Sequence, residues 1–245
     1  MLRRLPTETW RKRACCSASG KQRGSRGRPD QTRSHAEIIE VLLANGARVD
    51  TRGPLGMTAL HWAGANGYTE RTKQILQHRP AVEATDDRGR TALLVAHSDA
   101  AEKLLAAGAN VRATDKDGMT ALHYAAQSCA RHLSVLFNAG CIDVDARSKA
   151  GVTPLHVAAV EGTESAARWL LDHGAKLDAR LASDYEYLPR DFAPGYGNEV
   201  RMKRGSTPLQ LASAQHEKTK WSSGRDRGMI ELLKAQGRKG ASGKR

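Results

Sequence analysis

Apolar residues in this chain come in short blocks at helical spacing, separated by polar turns that return at regular intervals. Glu37-Ile38-Ile39-Glu40-Val41-Leu42-Leu43 and Ala101-Glu102-Lys103-Leu104-Leu105 each place their apolar members on one side of a helix. Such blocks run through a Leu-Leu step into a Gly-Ala pair and a short alternating stretch: VLLANGARVD (41–50), KLLAAGANVRA (103–113) and WLLDHGAKLDA (169–179). Twelve residues after Gly46 and Gly108 a second kind of block opens on threonine. It reads GMTALHWAG from Gly56, GMTALHYAA from Gly118 and GVTPLHVAA from Gly151. The threonine recurs at Thr58, Thr91, Thr120, Thr153 and Thr207, with gaps of 33, 29, 33 and 54. A sustained period of this length marks a chain built from repeated supersecondary units.

Each landmark has a local chemical reason. Threonine is a helix N-cap, whose hydroxyl satisfies an amide that the first turn leaves unpaired. Pro154 and Pro208 follow it at the first helical position, where a missing N–H costs nothing. Gly67 and Gly162 end the short first helix, and Gly46, Gly108 and Gly174 end the second. Asp86-Asp87-Arg88-Gly89 and Asp115-Lys116-Asp117-Gly118 are turn sequences that reverse the chain before the next threonine. The pattern predicts a unit of helix, turn, helix and hairpin loop.

These residues resemble the ankyrin repeat family, through T-A-L-H at Thr58–His61 and Thr120–His123, T-P-L-H at Thr153–His156, and the G-A-x-[VL]-x-A segments. The resemblance implies an all-α, ankyrin-repeat solenoid of stacked helix-turn-helix units joined by hairpin loops. It spans about residues 34–237, with units near 34–57, 58–90, 91–119, 120–152, 153–206 and 207–237. A basic, disordered N-terminal tail or targeting segment (1–33) and a basic C-terminal tail (238–245) flank the array.

The departures from the period are informative. Ser34–Leu43 reads as a second helix with no first-helix motif before it. The 29-residue gap shortens one or both helices of the third unit, and Arg79-Pro80 stands where other units have Gly-Ala. The 54-residue gap leaves an insertion at 181–205, 21 residues beyond the period, carrying Tyr185, Tyr187, Phe192 and Tyr196. A loop of that length is a tolerated surface insertion or a partner-binding finger, since aromatic side chains are common interface anchors.

Composition narrows the function classes. The formal charge of +13 is concentrated at the ends: residues 1–33 hold 10 Lys/Arg against 2 Asp/Glu, and 218–245 hold 9 against 2. The body, 34–217, holds 20 against 22 and carries no basic stripe. Four cysteines (15, 16, 129 and 141) without a C-x-x-C pair do not make a disulfide scaffold. No stretch approaches the length of a membrane span. No serine-hydrolase elbow, zinc-protease or phosphate-loop motif occurs, so an enzyme is not expected. His61, His123 and His156 repeat one offset after Thr58, Thr120 and Thr153; equivalent positions in a stack form a row, and a row does not converge on a metal. Leu94 and Gln210 replace the histidine in other units. No cofactor or metal is expected, and in the family this histidine is structural.

The expected role is therefore that of a non-catalytic adaptor or scaffold, monomeric, in cytoplasm or nucleus, binding one or more proteins. Mitochondrial targeting by residues 1–33 remains an open alternative. By resemblance, partner contacts come from hairpin tips and the variable positions around the first helix. Here these are Met57, Asn66, Asp87, Arg88, Arg90, Lys116, Asp117, Met119, Gln127, Ser128, Lys149, Val152 and Glu161, with Tyr185, Tyr187, Phe192 and Tyr196 of the insertion extending that face. The alternative role is a nucleic-acid-associated regulator whose basic tails contact phosphates while the repeats recruit partners.

Overall fold

The computed structural model describes residues 41–42, 45–140, 143–187, 200–218 and 225–242. Chain contacts divide the protein into two units, Met1–Ala47 and Arg48–Arg245. Of the first unit, Val41 and Leu42 are helical, and the Ala47 amide donates to the Leu42 carbonyl (3.0 Å). Residues 34–40 and 43 of the expected second helix, and all of 1–33, lie outside the described residues.

The second unit is built of helix pairs. They are α1 (Ala59–Ala65) with α2 (Thr69–Gln77), α3 (Ala92–Val95) with α4 (Ser98–Ala106), α5 (Ala121–Ala125) with α6 (Ala130–Asn138), α7 (Pro154–Glu161) with α8 (Glu164–Asp172), and α9 (Pro208–Lys218) with α10 (Arg225–Ser242). The first helix of each pair packs on the first helices of its neighbours, and the second on the second. Two parallel rows of helices result, an all-α solenoid with one small hairpin, β1 (Tyr185–Tyr187) and β2 (Val200–Met202). The deficit of the 29-residue gap falls in α3, which keeps only four residues. Helix α10 continues to Ser242, past the array boundary at 237; no proline interrupts it.

The core runs between the rows. Leu60, Leu93, Leu122 and Leu155, each two residues after a threonine, are buried, as are Ile75, Leu104, Leu136, Leu170 and Leu233 of the second helices. Each such side chain contributes about 1.5–3 kcal/mol on burial. Alanines at 63, 96, 125, 126, 158 and 159 let neighbouring helices approach closely. The second helices end in left-handed residues, among them Gly108 and Gly174 (φ +87° and +90°). After α2 that conformation falls to Arg79 (φ +51°), where a β-carbon makes it unfavourable.

Adjacent hairpins are tied in register at both of their ends. At the base, Asp50 Oδ1 accepts the Ala81 amide, Glu83 Oε1 that of Asn110 and Asp145 Oδ1 that of Lys176, each at 2.9 Å. At the tips, backbone amides reach the preceding tip: Asp87 to the Leu55 carbonyl, Lys116 to Arg88, Lys149 to Asp117 and Ala182 to Ala150, at 2.8–3.0 Å.

Candidate partner-binding face

The first helices are held by a repeated histidine bracket. Thr58, Thr120 and Thr153 are N-caps in extended conformation, with the histidine three residues on closing a capping box. In each, Nδ1 faces the threonine amide (3.1–3.2 Å) and hydroxyl (2.8–2.9 Å). Nε2 faces a backbone carbonyl of the next hairpin: Arg90 for His61 and Val152 for His123, both at 2.9 Å, and Ser206 for His156, at 3.2 Å. A carbonyl has no proton to give, so Nε2 carries the proton and Nδ1 accepts. Every ring is thus neutral and satisfied on both sides. Burial, which disfavours the charged form, holds His61 below its ordinary pKa and lowers His123 and His156 to about 4. The three rings turn to three different carbonyls, and no metal-holding cluster of His, Cys, Asp or Glu exists among the described residues.

The tips rise from that frame and are braced from within. Asp86 Oδ1 accepts the amides of Arg88 and Arg90, while Oδ2 takes the Arg90 guanidinium (Nε 2.7 Å, Nη2 2.6 Å) in a buried pair. Asp115 Oδ1 accepts the amides of Asp117 and Met119, and its Oδ2 takes the Tyr124 hydroxyl (2.6 Å). Burial and the Asp115 charge push that tyrosine's pKa up. With one residue of each tip fixed inward, its neighbours Asp87, Arg88, Lys116, Asp117 and Lys149 project outward and are exposed.

Four sequence-based candidates are corrected by the structure. Met57, Arg90, Met119 and Val152 are all buried. Each directly precedes a capping threonine, the position from which a side chain folds back onto the first helix and the core. Arg90 is in addition locked to Asp86. None of the four offers a surface to a partner. Asn66 is exposed at the end of α1, its side-chain amide donating to the Trp62 carbonyl (2.8 Å). Gln127 and Ser128 are half-buried in the turn after α5. The Ser128 hydroxyl donates to the Ala125 carbonyl (2.9 Å) and lies 3.2 Å from Nδ1 of the buried His132 ring.

The insertion is also corrected in part. Tyr187 is buried and Tyr185 half-buried. Pairing sets Tyr185 opposite Met202 and Tyr187 opposite Val200, so these four share one face of the hairpin, turned to the array. Glu186 and Arg201 share the other and are exposed. The Tyr185 hydroxyl donates to Asp117 Oδ2 (3.2 Å) and the Tyr187 hydroxyl to Glu161 Oε1 (2.9 Å). Burial and the Asp117 carboxylate push the Tyr185 pKa up. Phe192 and Tyr196 lie outside the described residues.

Three exposed apolar residues escaped the sequence reading. Leu55, Trp62 and Tyr68 surround α1 at 49%, 43% and 45% exposure. Leu55 sits in a tip at φ +61°, and Arg71 lies over the Tyr68 ring (4.1 Å). The available signal was Trp62 itself, a tryptophan on a first helix in a chain with 4% aromatics.

Among the described residues no helix is long and apolar enough to cross a membrane. Comparison with known proteins places the chain. Residues 31–114 and 96–180 match the family described as "Ankyrin repeats (3 copies)". The chain is similar to the nuclear factor NF-kappa-B p105 subunit of Gallus gallus, 36% identical over 73% of this chain and 19% of that protein. It is similar to the B-cell lymphoma 3 protein homolog of Mus musculus, 36% identical over 36% of this chain and 20% of that protein. A third relative is NF-kappa-B inhibitor delta of Mus musculus, 36% identical over 42% of this chain and 34% of that protein. The matched part thus makes up about a fifth to a third of these relatives. Motif, bracket, tip ladder and match agree: the chain belongs to the ankyrin repeat family, whose stacked units are modules of protein–protein interaction.

Proposed function

We propose that the protein is a monomeric, non-catalytic adaptor that holds a protein partner on its hairpin tips and first-helix face, beginning at α1. The observation that carries this is the contrast along one row of equivalent positions. Trp62 is 43% exposed on α1, whereas Val157 at the same offset on α7 is fully buried. An exposed indole with Asn66 one turn on, in an array whose tips also expose Leu55, Asp87 and Arg88, has the makings of an interface anchor. The bracketed, laddered frame keeps this surface preformed, so little ordering opposes binding. The relatives' names, an inhibitor and a subunit of NF-kappa-B, suggest partners among regulatory proteins of cytoplasm or nucleus.

The test is affinity capture with the intact chain, Trp62→Ala and Arg88→Ala, alongside the outer-row control Lys103→Ala. Partners recovered by the intact chain and by the control, and lost with either tip-side variant, support the reading. Partner sets that ignore both substitutions defeat it. A second reading rests on the charge concentrated in residues 1–33 and 218–245, which suits non-specific contact with phosphates. Nucleic-acid binding that survives deletion of both ends refutes it.

A further inference from the structure

The insertion is spliced into the array without shifting its register. His61 meets a carbonyl 29 residues on and His123 another 29 residues on, whereas His156 meets its carbonyl 50 residues on. The difference is the length of the insertion, and the bracket closes as before. The neck is fastened: Leu181 donates to the Ser206 carbonyl (3.2 Å), Gly205 to that of Leu181 (2.9 Å), and Arg204 to Asp184 Oδ1 (2.8 Å). The chain between leaves the tip ladder at Ala182 and turns back over the first-helix side. Tyr185 reaches the 115–118 tip, and Tyr187 reaches Glu161 at the end of α7. Helix α7 is buried at every position from Pro154 to Val160, unlike α1, and the hairpin meets it at its C-terminal Glu161.

The hairpin therefore behaves as a short extended peptide seated on the face that partners of such arrays would use. Its tyrosines sit at alternate positions, both on the inward face of the strand, each body packed and each hydroxyl given to a carboxylate. Val200 and Met202 are buried in the same core cluster. β1 pairs with β2 through its main chain, while the contacts that join it to the array run through the side chains of Tyr185 and Tyr187.

We propose that the β1–β2 hairpin is a ligand carried in cis. It occupies the Glu161 end of α7 and the 115–118 tip, leaving the α1 side for a partner. The partner chemistry that fits the occupied part is an extended segment presenting tyrosines at alternate positions to Asp117 and Glu161. This rests on the adaptor reading above and divides its surface into an open part and a self-filled part. The side chains of Asp117 and Glu161 select hydrogen-bond donors, and the apolar core takes the ring bodies.

The test uses the full chain with the hairpin freed by Tyr187→Ser, Val200→Ser and Met202→Ser. The probe is a fluorescent hairpin peptide carrying residues 182–187 and 200–204 joined by Asn-Gly, a two-residue loop that favours tight turns. Anisotropy should show saturable binding to the freed chain. Binding should be lost on adding Asp117→Lys and Glu161→Lys, and at least about 100-fold weaker with the intact chain, whose site is filled. Equal binding to intact and freed chains, or none to a freed chain whose circular dichroism shows it folded, overturns the proposal. Should the freed chain not fold, Tyr185→Phe with Tyr187→Phe removes only the two hydroxyls. Faster amide exchange at 185–187 and 200–202 is then expected, and unchanged exchange overturns the proposal equally. The two readings fail separately, because the peptide assay needs no external partner and the Trp62→Ala capture leaves the hairpin untouched.

Discussion

Lowering the pH from 7.5 to 5.0 loads protons onto histidines of the unfolded chain that the folded array refuses. His123 and His156 have folded pKa values of about 4 against an ordinary 6.5. Between those values the unfolded state binds more protons, so stability falls as pH falls through the window and levels off below about 4. At pH 5.0 each ring forfeits about 2 kcal/mol relative to pH 7.5, about 4 kcal/mol for the pair. His61 adds a loss of the same sign. The perturbation that isolates the pair is His123→Gln with His156→Gln. Glutamine already stands at this offset in the last unit, where Gln210 Oε1 accepts the Thr207 amide at 2.9 Å. The double variant keeps the cap and loses the titratable ring. It should be less stable at pH 7.5, by about 1–3 kcal/mol at each carbonyl left without its donor. Its further loss between pH 7.5 and 5.0 should be smaller than that of the intact chain by about 4 kcal/mol. Urea unfolding followed by circular dichroism at both pH values measures the difference, with all other titrating groups common to both proteins. An acid loss in the double variant within about 1 kcal/mol of the intact chain's would refute the neutral-bracket argument.

Other substitutions probe separate parts of the frame. Arg79→Gly relieves a left-handed residue at the end of α2 and should raise stability by about 1 kcal/mol, read as a higher urea midpoint. Asp86→Ala strands the buried Arg90 guanidinium and two tip amides, and should cost about 3–5 kcal/mol. Adding Arg90→Met should return part of that loss, and a double variant no better than the single would count against the ion-pair account. Thr120→Ala opens a complete box and should cost about 1–2 kcal/mol in thermal melts. Thr91→Ala should cost much less, because Leu94 replaces the histidine there and the Thr91 hydroxyl is buried without a hydrogen-bond partner among the described residues.

What the sequence disclosed and what it hid divide along physical lines. Threonine caps, left-handed glycines and paired leucines act within one turn of chain, so their spacing alone revealed the helix pairs. The histidine offset was legible for the same reason, although only coordinates show which carbonyl each Nε2 meets. Met57, Arg90, Met119 and Val152 misled because a residue beside a tip looks variable and solvent-facing, while its place before the cap turns it inward. The period alone does not distinguish the outward side of a tip from the inward one. The insertion misled for a different reason. Its aromatic content signalled contact, but strands of three residues carry too little alternation to set a face. Tyr185 and Tyr187 are turned inward by Asp117 and Glu161, which lie 68 and 26 residues away along the chain. That orientation is settled by stacking, which brings a tip of one unit and the helix end of another within reach of a single strand. The same stacking explains why the insertion could be accommodated at all. Because His156 finds the Ser206 carbonyl as His61 finds that of Arg90, the fastened neck keeps the register of the array, and the β1–β2 hairpin adds its own contacts at Asp117 and Glu161.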